Sequence, residues 1–388
     1  MDFELTEDQK SIREVAAQFA RSYCEPEAAE IDRTHEFPME TWKKMSSAGT
    51  GLNEINHLEK YGGTGLDPIA EMIVIEELSK ASLTHGAIYA LLSHGFPTFV
   101  EKFGTEEQKE KYIRPVIQRG YIGGFCLTEP DAGSDAKAIR TKSVKDGDFY
   151  ILNGTKCFIT AGSIADALLV VAKADENAGE KGYNGFIVEK GTEGLGVGKI
   201  ESKMGIRALP TAEIILQDVK VHKSCLLGGE NGVGQMLRYA LGALDAARIG
   251  TGAQALGVAQ SAYEKALQYS GVRVQFGRPI NRNQGIRWYL AEMASKLDMA
   301  RLLVYRAAWL EQEGKPFAKE AAMAKLYASK FGREIVNMAL QIHGGAGYMN
   351  DYPLERMYRD IKITEIYEGS SEIMKVVIAS NIVKRDQP

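Results

Sequence analysis

The 388 residues predict an α+β protein in three consecutive parts: an N-terminal helical domain, a middle β domain and a C-terminal helical bundle. Three observations predict this. Helix-start signals fill the first 115 residues or so, alternation with period two takes over from about 120 to 225, and a three-and-four spacing of apolar residues returns from about 232. The boundaries expected are 1–118, 119–228 and 229–388.

In the first part, Thr6 with Gln9 and Thr105 with Gln108 have capping-box spacing. Ala70–Ser79 is apolar and helix-compatible, and Tyr61-Gly-Gly-Thr-Gly-Leu-Asp-Pro68 is a loop whose glycines break the helices. In the second part, residues 150–159, 167–172, 185–189 and 212–221 read as strands. Asn153-Gly154, set between β-type residues, predicts a hairpin turn. In the third, Ile286, Leu290, Met293, Leu297, Ala300, Val304 and Ala307 trace the seam of a packed helix that Lys315-Pro316 closes. A further helix is expected from Phe317 to about Gln341.

Composition excludes several functions. A net charge of −4 offers no basic field for nucleic acid. No apolar run reaches the roughly 18 residues of a membrane span. Met1–Lys10 is acidic, unlike a signal segment, which points to the cytoplasm. Cys24, Cys126, Cys157 and Cys225 lack metal-ligand spacing and the six histidines do not cluster, so no metal is expected. A dinucleotide glycine fingerprint after a strand and a phosphate loop are both missing, and Gly229-Glu-Asn-Gly-Val-Gly234 has neither spacing. On these grounds alone the reading ends at a cytosolic α+β protein with a ligand cleft between domains.

One stretch stands out: Asp360-Ile-Lys-Ile-Thr-Glu-Ile-Tyr-Glu-Gly-Ser-Ser-Glu-Ile373. Ile361, Ile363 and Ile366 fit a short buried segment, and the serines can cap a helix carrying Met374, Val377, Ile378 and Ile382 on one face. Glu368 then lies on a bend between an aromatic ring and a glycine. A carboxylate at an apolar bend gains proton affinity and can act as a base.

Together with Gln341-Ile-His-Gly-Gly-Ala-Gly-Tyr348, Phe125-Cys-Leu-Thr-Glu-Pro-Asp-Ala-Gly-Ser-Asp135 and Arg273-Val-Gln-Phe-Gly277, this stretch resembles the acyl-CoA dehydrogenase family of flavoproteins, from about Phe3 to about Lys384. The resemblance implies a barrel-like middle domain, a C-terminal four-helix bundle and FAD as cofactor. It makes Glu368 the catalytic base and puts Thr128 and Thr160 on the flavin ring, Phe158 over it and Ser134 at the pyrophosphate and the substrate. Many relatives carry Trp where Phe158 stands. Arg273, Phe276 and Gln284 would reach the FAD of a neighbouring subunit, Gln341, Gly344 and Gly345 would cover its adenosine, and Ser370 would complete the cofactor shell. Gly344–Gly347 also suits a plain helix C-cap.

On the substrate side, the resemblance puts Asp245 and Arg248 on coenzyme A and Gly369 beside the reacting thioester; an ion pair within the helix is the simpler reading of the first two. Ala247 occupies the place where some branches carry their glutamate base, which favours Glu368. The family's reaction is removal of the proton next to the thioester carbonyl with hydride transfer to flavin, yielding the 2-enoyl-CoA, with electrons passed to electron-transfer flavoprotein. A homotetramer built as a dimer of dimers is implied. The alternatives are a cyclic, branched or dicarboxylic substrate, or an enoyl-CoA reductase.

The acyl pocket would end at Tyr89, Leu92, Ser93 and His94. His85–Gly95 contains no Lys or Arg, and Thr84 stands where decarboxylating glutaryl enzymes carry arginine, so a short or medium neutral acyl group is expected. The same side chains also suit a helix core. Leu52–Glu59 departs from the family pattern, as a reshaped pocket wall or as surface variation.

Overall fold

The computed structural model describes residues 4–46, 49–174 and 178–383. Phe3 and Lys384, the ends of the resemblance, lie outside the described residues.

The first part is helical, as expected. Its helices are α1 (Glu7–Phe19), α2 (Glu25–Thr34), α3 (Met39–Lys44), α4 (Pro68–Ala81), α5 (Leu83–Leu92), α6 (Gly95–Phe103) and α7 (Glu106–Arg119). Both capping boxes form, at Thr6 with Gln9 and at Thr105 with Gln108. A π-helical turn, Ala20–Cys24, joins α1 to α2, and His35 in the left-handed region ends the rod. Asp67 caps α4, with Pro68 at its first position.

The middle part is a curled seven-stranded sheet of β1 (Gly123–Cys126), β2 (Lys142–Asp146), β3 (Phe149–Thr160), β4 (Ala167–Lys173), β5 (Tyr183–Glu189), β6 (Leu195–Ile200) and β7 (Thr211–His222). β4 pairs with β1 in parallel and with β5 antiparallel. It is apolar on both faces because two cores flank it. Ala167, Leu169 and Val171 pack with Phe96, Phe99 and Leu237, while Leu168, Val170 and Ala172 join the large core shared with the helices.

The Asn153-Gly154 hairpin is a correction: both residues lie inside the continuous strand β3, at a register shift. The turn into β3 falls at Gly147, in the left-handed region. Asn153 instead bonds across to Asp218, accepting from its N–H at 2.8 Å and donating to its carboxylate at 2.9 Å. Gly154 is required by proximity, since a Cβ there would lie 2.4 Å from Thr141 Oγ1.

The third part holds α8 (Met236–Val272), a small hairpin of β8 (Val274–Gln275) and β9 (Arg278–Pro279), then α9 (Gln284–Gln312), α10 (Ala318–His343), α11 (Leu354–Ile361) and α12 (Ser371–Ile382). The seam expected on α9 is buried from Met293 to Ala307. α8 is buried all round from Arg248 to Ala259, and its glycines permit close crossings: a Cβ on Gly257 would meet the Glu76 carbonyl of α4 at 2.2 Å, and one on Gly252 would meet Val304 of α9 at 2.9 Å. Met374, Val377 and Ile378 seat α12 on Ala322 and Leu326 of α10, but Ile382 is exposed. Ile366 is exposed too, because the segment before Glu368 is the end of α11 and a single 3-10 turn, so only Ile361 is fully buried. Among the described residues no helix is long and apolar enough to cross a membrane.

Candidate active site

The loop Ile366–Ser370 connects the 3-10 turn to α12 and is held from several sides. Ser329 of α10 donates to the Thr364 carbonyl at 2.8 Å, and Arg333 reaches Glu365 at 3.0 Å. The Tyr367 hydroxyl donates to Gln254 Oε1 of α8. Lys325 Nζ donates to the Gly369 carbonyl at 2.5 Å. Ser370 caps α12 by accepting from the Ile373 N–H. Glu368 (φ 54°) and Gly369 (φ 98°) are consecutive left-handed residues. At Glu368 that conformation is strained, and the surrounding anchors sustain it. At Gly369 it is this φ that disfavours a side chain, since the atom a Cβ would meet, Met374 Cε at 2.7 Å, is the movable end of a flexible side chain.

Burial raises the proton affinity of Glu368, opposed by Arg248 and then by Lys325. Burial also lowers Lys325 to about 8. Arg248, itself buried, donates from Nη1 to Asp245 Oδ1 at 2.5 Å, so the intrahelical ion pair exists. Its Nε is buried and has no partner among the described residues. The geometry therefore sets the Glu368 carboxylate against two cations, Arg248, which also holds Asp245, and Lys325, which also holds Gly369.

A second group lies at the start of the sheet. The Thr128 carbonyl accepts from the Cys157 N–H at 2.9 Å, which joins the loop after β1 to β3. The β3 register breaks between Lys156 and Ile159, where Phe158 (φ 57°) is thrown outward and is 64% exposed. Thr160 is half-buried and Ser134 exposed. Glu129 and Lys156 clamp this loop from beneath, 2.8 Å apart and buried, with Glu129 also accepting from the backbone of Arg140 and Thr141.

The remaining cofactor candidates face away from their own chain. Phe276 (φ 53°) and Gly277 form the turn between β8 and β9, and Phe276 is 96% exposed. Arg273, Gln284, Gln341, Gly344 and Gly345 are exposed as well. Tyr269, one turn before Arg273, stacks on His343 at 4.2 Å, which ties the Gln341–Gly345 turn to the end of α8.

Tyr89 is fully buried, and its hydroxyl donates to the Leu52 carbonyl at 3.0 Å. Ser93 donates to Asn53 Oδ1 at 2.8 Å. His57 bridges the Glu101 carboxylate (2.8 Å) and the Ser93 carbonyl (3.1 Å). Glu71 accepts from Asn56 at 3.1 Å and lies 3.1 Å from His94. Burial drives Glu71 up to about 8 and His94 down to about 3. The unusual loop is thus bolted onto the proposed pocket segment. Glu71, Glu101 and Lys325 were missed by the sequence reading. For Lys325 a signal existed: a lysine among Ala321, Ala324 and Ala328 on the apolar face of α10.

Comparison with known proteins shows the family. Residues 6–119, 124–219 and 235–383 match the profiles for the acyl-CoA dehydrogenase N-terminal, middle and C-terminal domains. The chain is 50% identical to an acryloyl-CoA reductase (NADH) of Anaerotignum propionicum, over 99% of this chain and 97% of that one. It is 44% identical to a short-chain specific acyl-CoA dehydrogenase of Clostridium acetobutylicum, over 99% and 100%. A chain in a solved structure described as the electron transferring flavoprotein of Acidaminococcus fermentans superposes with a TM-score of 0.96 at 44% identity, covering 99% of this chain and 100% of that one. The protein belongs to the acyl-CoA dehydrogenase family. It is an oxidoreductase acting on CH–CH groups.

Proposed function

We propose that the chain dehydrogenates a short or medium neutral acyl-CoA to the 2-enoyl-CoA. The observation that carries this is Glu368, a carboxylate of raised proton affinity on a strained, anchored loop opposite Arg248 and Lys325. Such a base takes up the proton next to the thioester carbonyl. Asp245 and Arg248 are assigned to coenzyme A. Ser134 and Gly369 are assigned to the pantetheine and the thioester.

The donor set fits FAD. The exposed ring of Phe158 can cover an isoalloxazine, with Thr128 and Thr160 beside it to bond its polar edge and Ser134 to meet the pyrophosphate. Arg273, Phe276, Gln284, Gln341, Gly344 and Gly345, turned outward, would hold the cofactor of a neighbouring subunit in a homotetramer, and open space at Gly344 and Gly345 leaves room for a nucleotide. Ser370 completes the shell. When bound, FAD supplies the hydride acceptor. Electron-transfer flavoprotein is the proposed electron partner, supported by the Acidaminococcus structure. Four free cysteines suit a reducing cytoplasm.

The test is anaerobic mixing of the flavin-loaded enzyme with butyryl-, hexanoyl-, palmitoyl- and glutaryl-CoA. Rapid flavin bleaching with the first two is expected, and bleaching by none of them would refute the reading. Glu368→Gln should keep flavin and lose on the order of a hundred- to ten-thousand-fold in rate. The similarity to the acryloyl-CoA reductase supports a second reading, the same chemistry run toward the saturated thioester. Reduction of acryloyl-CoA faster than oxidation of propionyl-CoA, under matched driving force, would select it.

A further inference from the structure

We propose that Lys325 is a positioning residue for Glu368, anchoring its loop through the Gly369 carbonyl and favouring the ionised carboxylate by its charge. This rests on Glu368 being the base.

Lys325 is a misfit in its helix. Its side chain is fully buried on the face of α10 that carries Ala321, Ala324 and Ala328. Taking an ammonium out of water is expensive, and an apolar residue of similar volume would pack there at no such penalty. The structure shows where its charge is directed. Nζ bonds the carbonyl that follows Glu368 at 2.5 Å. The carboxylates facing it are Glu368, Glu365 and Glu372, and the cation facing it is Arg248. Glu365 is already engaged by Arg333 at 3.0 Å and Lys362 at 2.6 Å, while Glu372 is exposed on α12. Glu368 has no hydrogen bond or ion pair among the described residues, so Lys325 and Arg248 are the two cations that act on it. Arg248 shares its charge with Asp245 at 2.5 Å. The other neighbour of Glu368, Tyr367, holds its phenol on Gln254 and stays neutral.

The two roles act on the same residue. The bond to Gly369 fixes a backbone that is left-handed at both 368 and 369. The charge offsets the burial that would otherwise keep Glu368 protonated, and a protonated base cannot accept the substrate proton. At neutral pH Lys325 itself remains mostly charged, since burial lowers it only to about 8.

The experiment follows the infrared bands of the Glu368 carboxyl, identified as those missing in Glu368→Gln, against pH in the flavin-loaded protein without substrate. Lys325→Met removes bond and charge, whereas Lys325→Gln keeps a donor and removes the charge. Both should move the Glu368 midpoint upward by on the order of one pH unit, and the acid limb of the flavin-reduction rate should move with it. An unmoved midpoint in either folded, flavin-loaded variant would refute the proposal, even with activity lost. Should neither variant fold, the wild type decides. Its Glu368 carboxylate stretch should shift as Lys325 deprotonates around pH 8, and a stretch that stays constant from pH 7 to 9 would refute it. Near-parental activity in Glu368→Gln is a different result, and removes the base assignment itself.

Discussion

Arg359 forks onto Asp32 across 327 positions of sequence, its two terminal nitrogens 3.0 and 2.6 Å from the two carboxylate oxygens. The same guanidinium reaches the Met204 carbonyl at 3.1 Å and Glu355 at 2.8 Å. One side chain therefore ties α2, the middle part and α11 together, a few residues before the Glu368 loop. Arg359→Ala should leave Asp32, mostly buried, with Arg207 at 3.9 Å as its remaining cation, at a cost of roughly 2–3 kcal/mol in urea unfolding. Arg359→Lys should recover only part, since an ammonium cannot fork. An unchanged midpoint in the alanine variant would show that water replaces the pair.

Glu71 gives a pH signature. Its folded value is raised to about 8 by burial, so over the range from its ordinary value of 4.5 up to 8 the folded protein binds a proton that the unfolded chain has released. Stability contributed at low pH is then lost as pH rises through this window, by on the order of a few kcal/mol. His94, held down to about 3, stays neutral in the folded protein, but the unfolded chain protonates it below its ordinary 6.5, so it adds stability as pH rises to 6.5 and offsets Glu71 there. Glu71→Gln copies the protonated acid and should flatten the decline that is left between pH 6.5 and 8. An equally steep decline in the variant would assign it to other groups, such as Glu77 and Glu311, which burial also raises.

Tyr89 tests the substrate assignment. Tyr89→Phe should cost about 1 kcal/mol of stability by leaving the Leu52 carbonyl with only the long bond from the Ile55 N–H at 3.5 Å, with little change in chain-length preference. Tyr89→Ala should extend the preference toward longer acyl chains in the flavin-bleaching panel. A profile identical to the parent would locate the end of the pocket elsewhere, with the Leu52–Glu59 loop the next place to mutate.

Arg273→Ala should weaken flavin retention and assembly together if the exposed Arg273 and Phe276 hold the cofactor of a neighbour, as proposed for the tetramer. Light scattering with flavin absorbance reads both. A monomer holding flavin at full occupancy would separate the two and contradict the shared site.

The fold was legible where burial follows a simple period. The α9 seam and the strands expected at 167–172, 185–189 and 212–221 fall where the pattern puts them, whereas β6, Leu195–Ile200, with no buried residue to mark it, was missed. Asn153-Gly154 misled because a turn signal is local, whereas the need for glycine came from Thr141 and the need for asparagine from Asp218, both distant in sequence. Glu368 was legible through its motif, but the groups that tune it were not. Lys325 and Arg248 meet it only after α8 and α10 pack, and the Glu129–Lys156 clamp joins the loop after β1 to β3. The polar cage around His57 and His94 depends on a loop whose partners on α4 and α6 cannot be inferred from its own residues.

β4 is apolar on both faces, and this places an unusual duty on its neighbours. A strand with one wet face polices its own alignment, because slipping by one residue would drown its oily side. β4 has no such safeguard, since either face would be content in either core. Alignment must be enforced from its end: Asp166 receives the Ile122 N–H on its carboxylate at 2.9 Å and returns its own N–H to the Ile122 carbonyl at 2.7 Å. A polar residue just outside the strand thus acts as its starting mark, and the greasiest segment of the sheet takes its bearings from a single charge.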